Sequence, residues 1–515
     1  MARWFRVPSQ TGLRHPEPPI GRGLGFILHF VLRLSVEGKG FTLTSSRGLS
    51  PREGNPRLTL VFAITSANFN NLFTFSRIET SEWKDKMKIL LITPSLNKER
   101  SHFLRMPQLT LGVLSALTPP EIEADVIDEE IEEIDFNKHY DLVGISCMTA
   151  SAPRAYELSS LFREKGAKVV LGGIHPSVMP DEAIAHSDCV VIGEAEGCWE
   201  ELINDFKQNR LKEFYRSLNS DLSKFPIPKL SHNHTPFNVT PIFCTRGCPY
   251  SCEFCSVTDL YGKKLRHRQV TDIVKEIAIR DSKKFFFLDD NIIGDVKFAK
   301  ELFTALSDLK IRWVGQASIS LAKDRDLLKL AKKSGCAGLF IGLESVSSEN
   351  LKKLRKTPDD AEEHGRAIQI IQDAGIFFQA SFVFGFDDDD KSIFEKTLDF
   401  LHKNRISSAT FNILTPYPGT AIFERFKKEG RLLSQNWQDY NHRTVVFKPK
   451  NMTPDELAEG FVWLGKHFYT KTSIFTRFFY NFNHPLLYFF INWAHRNDYK
   501  NKKAEDFFPQ STKPA

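Results

Sequence analysis

The sequence predicts an α/β protein in three parts: a doubly wound parallel sheet, a partial β/α barrel behind it, and a mostly helical C-terminal region. Three observations predict this. From Met87 short continuous apolar runs alternate with helical stretches, the pattern of a parallel sheet covered on both faces. From Thr240 a second such series begins, and its apolar runs end in polar or glycine-rich clusters, as in barrels whose function collects at the strand C-terminal ends. Where that second series starts, Cys244-Thr-Arg-Gly-Cys248-Pro-Tyr-Ser-Cys252-Glu-Phe-Cys255 puts several thiols in one loop.

The chain's 515 residues suffice for more than one domain. Its formal charge of +6 is too small to argue for nucleic acid, and no nucleic-acid partner is expected. Eight cysteines are too few for a disulfide framework and point to a reducing compartment. Phenylalanine is abundant, at 44 residues, which hints at large apolar surfaces or an apolar ligand. No apolar run reaches the roughly 18–20 residues that span a bilayer, and no repeat of solenoid or propeller period occurs.

Residues 1–86 read differently. Up to Gly38 the only acids are Glu17 and Glu37, against several arginines, and no apolar period persists. The stretch Leu24 to Leu34 is apolar but contains His29 and Arg33, a poor match to a secretory signal or transit peptide. Met87 opens Met-Lys-Ile-Leu-Leu-Ile-Thr-Pro, the expected start of a first buried strand. The reading here is a disordered extension upstream of a misplaced start codon.

Over 87–215, strands are expected at Lys88–Thr93, Ala124–Asp128, Leu142–Cys147, Val169–Leu171 and Cys189–Ile192, with helices such as Pro153–Lys165 between them. Ligands of such sheets lie beyond the strand carboxyl ends, which puts Ser146–Thr149, Gly172-Gly173-Ile174-His175 and Gly193-Glu194 on one rim. Residues 216–240, rich in Pro, Ser, His and Asn, suit a linker. In 241–425 the strands are Ile242–Phe243, Phe285–Leu288, Trp313–Gln316, Leu339–Leu343, Phe377–Phe384 and Ala409–Leu414. Residues 426–515 form the accessory region, with a helix opened by Thr453-Pro454-Asp455-Glu456, an N-cap threonine followed by proline and acids. Phe475 to Trp493 is aromatic and interrupted by Asn483, His484 and Pro485; it reads either as a core-packing helix pair or as a membrane-surface segment with Arg477 and Arg496 outward.

Cys248, Cys252 and Cys255 form C-x3-C-x2-C. Three thiolates in that spacing can hold a 4Fe–4S cluster and leave one iron open. A register starting at Cys244 fails, because its third ligand would fall on Ser251. The competing readings are structural thiols, or a zinc site completed by His267; against zinc, only Cys252 and Cys255 form a C-x2-C half. Asp289, Asp290 and Asn291 end the second barrel strand and face either substrate or cofactor. Asp387–Asp390 reads as a solvated turn or a helix N-terminus, and Arg266 and Arg268 could pair with a carboxylate or phosphate, a surface salt bridge being the default.

The cysteine loop resembles that of the radical SAM superfamily. The resemblance implies that the open iron chelates S-adenosylmethionine, that Phe254 packs near its adenine, and that reductive cleavage gives a 5′-deoxyadenosyl radical. It implies further cofactor contacts at Glu344 and Ser345 in Gly342-Leu-Glu344-Ser345, and at Gly385. The rim of the first domain resembles the Rossmann-like cobalamin-binding domain found before many such TIM-like barrels. On that resemblance Ser146, Thr149, Gly172, Gly173, His175, Gly193 and Glu194 line a cobalamin site, the glycines allowing close backbone approach. A D-x-H-x-x-G loop is absent after Thr93, so an Asp-x-His lower ligand is not expected. Pro416-Tyr-Pro-Gly-Thr420, Glu429-Gly430-Arg431 and the stretch from Trp437 to Pro449 resemble the C-terminal part of cobalamin-dependent radical SAM proteins that include the hopanoid C-2 methylase. The resemblance runs from Met87 to about Arg477.

It implies a C-methyltransferase using a 4Fe–4S cluster, S-adenosylmethionine and cobalamin on a hydrophobic substrate, a small molecule or an isoprenoid lipid. A flavodoxin or ferredoxin would donate electrons, in the cytoplasm or at the inner membrane face. Two alternatives stay open: an oxidative cyclase or ring-rearranging enzyme with the same cofactors, and a non-catalytic cobalamin or redox sensor.

Overall fold

The computed structural model describes residues 86–96, 106–230, 238–354 and 361–509, and the backbone of two strands nearer the N-terminus. Those two, β1 (Leu32–Glu37) and β2 (Gly40–Ser45), pair antiparallel as a hairpin. The rest of the expected 1–86 extension, and residues 231–237 of the expected linker, lie outside the described residues.

The first sheet holds β3 (Lys88–Thr93), β4 (Glu123–Asp128), β5 (Leu142–Ser146), β6 (Lys168–Gly172), β7 (Cys189–Gly193) and β8 (Phe214–Ser217), all parallel, in the order β4-β3-β5-β6-β7-β8. The continuous apolar runs become strands buried on both faces, and Ile89 to Ile92 are fully enclosed. Helix Ala152–Glu164 turns Ala155, Leu158 and Phe162 onto the sheet, the stripe expected of a covering helix. Strand β8 was not anticipated. It is a short edge strand with only Tyr215 buried, so it offers no apolar run, and it straddles the expected boundary at 215/216. The chain reverses direction between β3 and β5, which makes their carboxyl ends the switch point where ligands bind.

The second sheet is β9 (Val239–Ile242), β12 (Lys284–Phe287), β13 (Arg312–Ala317), β14 (Cys336–Glu344), β15 (Phe377–Phe384) and β16 (Ser408–Ile413), parallel and in sequential order, an open barrel of six strands. A two-residue ribbon, β10 (Thr245–Arg246) against β11 (Arg266–His267), stands at its mouth. The phenylalanine excess is largely core packing. Phe378, Phe382 and Phe384 of β15 are buried, and the Phe382 and Phe384 rings lie 6.4 and 6.1 Å from Phe411.

In the accessory region the expected N-cap Thr453 opens helix Pro454–Phe468, and Glu456 closes a capping box with it. Helices Lys471–Phe478 and Pro485–Lys500 form a pair held by Arg477, which is buried rather than outward. Its guanidinium donates to the Ser407 carbonyl at 2.7 Å and lies 3.9 Å over Phe468. Upstream, the region folds back on the first domain. The Trp437 indole N–H donates to Glu182 at 2.8 Å, and Gly419 sits so close to Val178 that a Cβ would come within 2.9 Å.

Candidate active site

Two cavities lie at the strand carboxyl ends and share Val257 and Asp290 in their walls. The smaller, about 200 Å³, is lined by Cys248, Cys252 and Cys255 together with Phe254, Gln316, Ser318, Glu344 and His364. The larger, about 440 Å³, lies between the first sheet's rim and the barrel mouth.

The thiol loop runs from the ribbon to the short helix Ser256–Tyr261. Gly247 starts it at φ +93, where a Cβ would meet the Lys264 carbonyl at 2.7 Å, so only glycine fits. Asp289 fixes its root: the buried carboxylate accepts from the Cys244 N–H at 3.0 Å and the Thr245 hydroxyl at 2.6 Å. Burial pushes Asp289 up to about 6 against those donors. Cys244 is fully buried with Cys147, Cys189, Cys198 and Cys336, whereas the three motif cysteines are half-exposed. The buried cysteines are thus packed in the core, and the three motif cysteines are the ones that reach a cavity. Burial, with neighbouring thiols adding to it, pushes Cys255 up to about 11, so it is a neutral thiol until a metal's charge deprotonates it. His267 stacks on Phe298 at 4.4 Å, and among the described residues no three His, Cys, Asp or Glu side chains converge as for a single ion. A 4Fe–4S cluster takes each thiolate on a different iron and needs no such convergence. The chemistry of the donor set fits the cluster.

Opposite the thiols, Glu344 ends β14 at φ +67, where the ladder with β15 shifts register. A left-handed glutamate is uncommon, and here it turns a carboxylate into the cavity wall. Ser345 does not line the cavity. Its hydroxyl accepts from the Ser347 N–H at 3.1 Å and from Asn350 at 3.3 Å. Asn350 also donates to Asp389 at 2.7 Å, and Asp389 accepts from the Gly385 and Phe386 N–H groups at 2.9 and 3.0 Å. Gly385, at φ +103, is likewise outside the wall; a Cβ there would meet Phe447 at 2.7 Å. Ser345 and Gly385 therefore belong to a buried polar chain joining the ends of β14 and β15. The acidic run divides: Asp388 and Asp390 are exposed, and Asp390 accepts from the Ser392 N–H at 2.8 Å where helix Ser392–Lys403 starts, as expected of a turn or helix N-terminus, whereas the other two are not solvated. Asp389 is buried, and Asp387 takes Arg425 at 2.6 Å, Arg431 at 2.8 Å and Lys450 at 3.0 Å. Burial opposes ionisation of Asp387, but those three cations hold it down at about 2. Arg425 reaches on to Glu253 of the thiol loop at 3.1 Å. Phe254 stands edge-to-face on Phe386, ring centres 5.9 Å apart.

The larger cavity is walled by Ser146, Gly172, Gly173, Gly193 and Glu194 from the first sheet and by Arg246, Tyr261 and Asp290 from the barrel. Gly173 has φ +99, with a would-be Cβ 2.5 Å from the Cys147 carbonyl, and Gly193 has φ +91, 2.3 Å from the Ser217 carbonyl. At these two positions neighbouring backbone leaves no space for a side chain, so the turns at the strand ends need glycine. Two expected contacts do not reach it. Thr149 is buried in a 3-10 turn behind the wall. His175 is fully enclosed, with Nε2 3.4 Å from Glu182 and its ring 5.1 Å from Trp437. Burial lowers its pKa and keeps it neutral. Glu194 lines the cavity, yet its carboxylate is already engaged: Arg266 takes it with both nitrogens, Arg246 lies 3.4 Å away and the Ser220 N–H donates at 2.7 Å. Burial opposes its charge and the two arginines outweigh that, so Glu194 stays ionised. Neither expected surface arginine is one: Arg266 is mostly buried on Glu194, and Arg268, 1% exposed, pairs with the equally buried Glu276 at 2.7 Å. Burial and the charge of Asp289 push Asp290 up to about 7.

The sequence reading missed Arg246, Tyr261 and His364. Only Arg246 left a signal, two residues before Cys248.

Residues 242–401 match the Radical SAM superfamily, residues 116–203 the B12 binding domain, and residues 420–488 a domain of unknown function (DUF4070). The bacteriochlorophyllide d C-8(2)-methyltransferase of Chlorobaculum tepidum is 34% identical over 72% of this chain and 88% of its own. The bacteriochlorophyllide d C-12(1)-methyltransferase of the same organism is 31% identical over 77% and 90%. The chain belongs to the cobalamin-binding radical SAM family. The hopanoid C-2 methylase of Rhodopseudomonas palustris is 26% identical over 65% of this chain and 67% of its own. In fold, this radical SAM protein is similar to TsrM of Kitasatospora setae, with a TM-score of 0.58 at 19% identity over 66% of this chain and 76% of that one. Membership makes it a radical SAM enzyme of the methyltransferase type, with a 4Fe–4S cluster, S-adenosylmethionine and cobalamin as cofactors. The sensor alternative falls away. No helix among the described residues is long and apolar enough to cross a membrane.

Proposed function

We propose that this enzyme methylates an unactivated carbon of an apolar polycyclic small molecule, of the chlorin or isoprenoid lipid kind. The observation that carries this reading is the pair of cavities meeting at Asp290 and Val257, so that a molecule seated at the junction would be open to both. When bound, the cluster would supply the electron that cleaves S-adenosylmethionine, and cobalamin would supply the methyl group. Cys248, Cys252 and Cys255 would hold the iron, with Phe254 and Glu344 placing the sulfonium cofactor beside it. Ser146, Gly172, Gly173 and Gly193 would seat the corrinoid, and Glu194 would act indirectly by bracing Arg246 and Arg266. A substrate and both cofactors filling the junction would displace water and keep a reactive carbon from side reactions. The relatives' bacteriochlorophyllide and hopanoid substrates support an apolar substrate; the phenylalanine content does not, since the core absorbs it. Electrons would come from a flavodoxin or ferredoxin.

The test is an anaerobic reaction of reconstituted enzyme with reductant, S-adenosylmethionine, methylcobalamin and a lipid and pigment extract, read by mass spectrometry. The expected result is 5′-deoxyadenosine and S-adenosylhomocysteine with a methylated polycycle. A methylated polar metabolite instead would sink the substrate assignment. One observation favours a second reading, an oxidative cyclase. The anaerobic magnesium-protoporphyrin IX monomethyl ester cyclase of Cereibacter sphaeroides is 25% identical over 65% of this chain. The cyclase reading predicts 5′-deoxyadenosine without S-adenosylhomocysteine.

A further inference from the structure

The helix pair of the accessory region accounts for only part of its aromatic content. Ile474, Arg477, Tyr488 and Asn492 face inward and lock the pair to the barrel. Phe475, Phe479, Phe482, Leu486 and Trp493 do not; they are 50, 65, 57, 85 and 42% exposed. They form a continuous surface. Phe475 meets Phe489 at 5.8 Å, Phe489 meets Phe478 at 4.6 Å, and Phe482 meets Phe478 and Phe479 at 5.1 and 6.1 Å. Leu486 and Trp493, seven apart, share one face of helix Pro485–Lys500. Contiguous apolar surface of this kind marks an interaction site.

Its rim is basic. Lys471 is exposed on the same helix as Phe475, the Arg405 guanidinium lies 4.1 Å over the exposed Tyr480, and Arg312 bonds His484 at 2.9 Å. Between Lys466 and Lys503 the only acid is Asp498, which Arg443 neutralises at 2.7 Å. We propose that this face docks on an anionic phospholipid membrane, its aromatics at headgroup depth and its cations on the lipid phosphates. A second copy of the chain fits worse, because a two-fold contact would set one basic rim against another. The chain's own first 38 residues, basic and nearly without acids, carry the same sign.

The patch lies at the strand amino ends: His484 bonds the Gly375 carbonyl before β15 at 3.0 Å, and Arg477 bonds the Ser407 carbonyl before β16. The cavities open at the other end. The face is therefore an anchor and not the substrate mouth, and it stands independently of the reaction proposed above.

The full chain, purified anaerobically, would be floated with vesicles of phosphatidylcholine alone and of phosphatidylcholine mixed with phosphatidylglycerol. The expected result is preferential partition into the mixed vesicles, by about fivefold for each rim cation engaged, weakening as salt rises. The Phe479→Glu/Leu486→Glu variant should lose partition with its melting temperature unchanged, and Phe482→Ser should weaken it. Equal partition into both vesicles, none into either, or full binding by the double variant would overturn the proposal. So would a concentration-dependent dimer that the same variant dissolves.

Discussion

The two cavities, each proposed above to hold a cofactor, are built from opposite materials. The smaller is lined by chemically active side chains: three thiols, an aromatic ring and a left-handed glutamate. The first-sheet side of the larger is mostly apolar, with Leu109, Val113, Leu114 and Trp199 in its wall and two glycines, Gly173 and Gly193, at φ values other residues avoid. One offers ligating and polar side chains and the other an apolar surface broken by tight turns. Their failures should differ accordingly.

Cys252→Ser separates them most sharply. The EPR signal of the reduced cluster and all S-adenosylmethionine cleavage should vanish, while cobalamin still binds stoichiometrically. Loss of cobalamin from that variant would show that the cavities are not independent.

The bracket between them comes next. Glu194→Ala strands the mostly buried Arg266, while Arg246 keeps Glu196, and removing one partner of a buried ion pair costs about 3–5 kcal/mol. The melting temperature should drop steeply, with Glu194→Gln less damaging because the amide still accepts from Arg266. A full-strength Glu194→Ala protein would mean that Arg266 finds another partner.

Gly173→Ala attacks the first-sheet side alone. A non-glycine residue in that conformation costs about 1–3 kcal/mol, before the overlap with the Cys147 carbonyl. Cobalamin uptake should fall while the reconstituted cluster keeps its spectrum. If both cofactors are lost together, the glycine serves the fold and not the ligand.

The smallest effect tests how the thiol loop is tied down. Asp387 titrates near 2 in the folded protein against about 3.9 when unfolded. Its folded pKa is depressed, so its stabilisation is fully present above pH 4 and is lost as pH falls from about 4 to 2. The contribution is at most about 2.6 kcal/mol. Urea midpoints from pH 5 downward should therefore fall less steeply for Asp387→Asn than for the parent. Equal slopes would remove Asp387 from the acid response.

The contrast explains what the sequence made legible. A cysteine cluster is a matter of residue type and spacing, so a register starting at Cys248 can be proposed from sequence, and in the fold Cys244 is buried while the other three line a cavity. The barrel strands were readable because buried parallel strands are continuous apolar runs. Edge strand β8 was not, having almost nothing to bury. The contact residues were harder. Ser146 and Gly172 lie where the strand ends put them, but a strand-end position does not say which way a side chain turns. His175 turned inward to Glu182, and Gly385 serves Phe447 rather than a ligand. Arg266 and Arg268 were misjudged for a related reason: their partners, Glu194 and Glu276, come close only once the chain has folded.

The contact between Trp437 and Glu182 joins parts of the chain 255 residues apart. The three segments, though they match separate families, are not beads on a string. A chimera taking its last hundred or so residues from a relative would bring a new face against an old one at this seam. Shuffling experiments, and any evolutionary exchange of tails, should therefore succeed mainly when the first and last segments travel together.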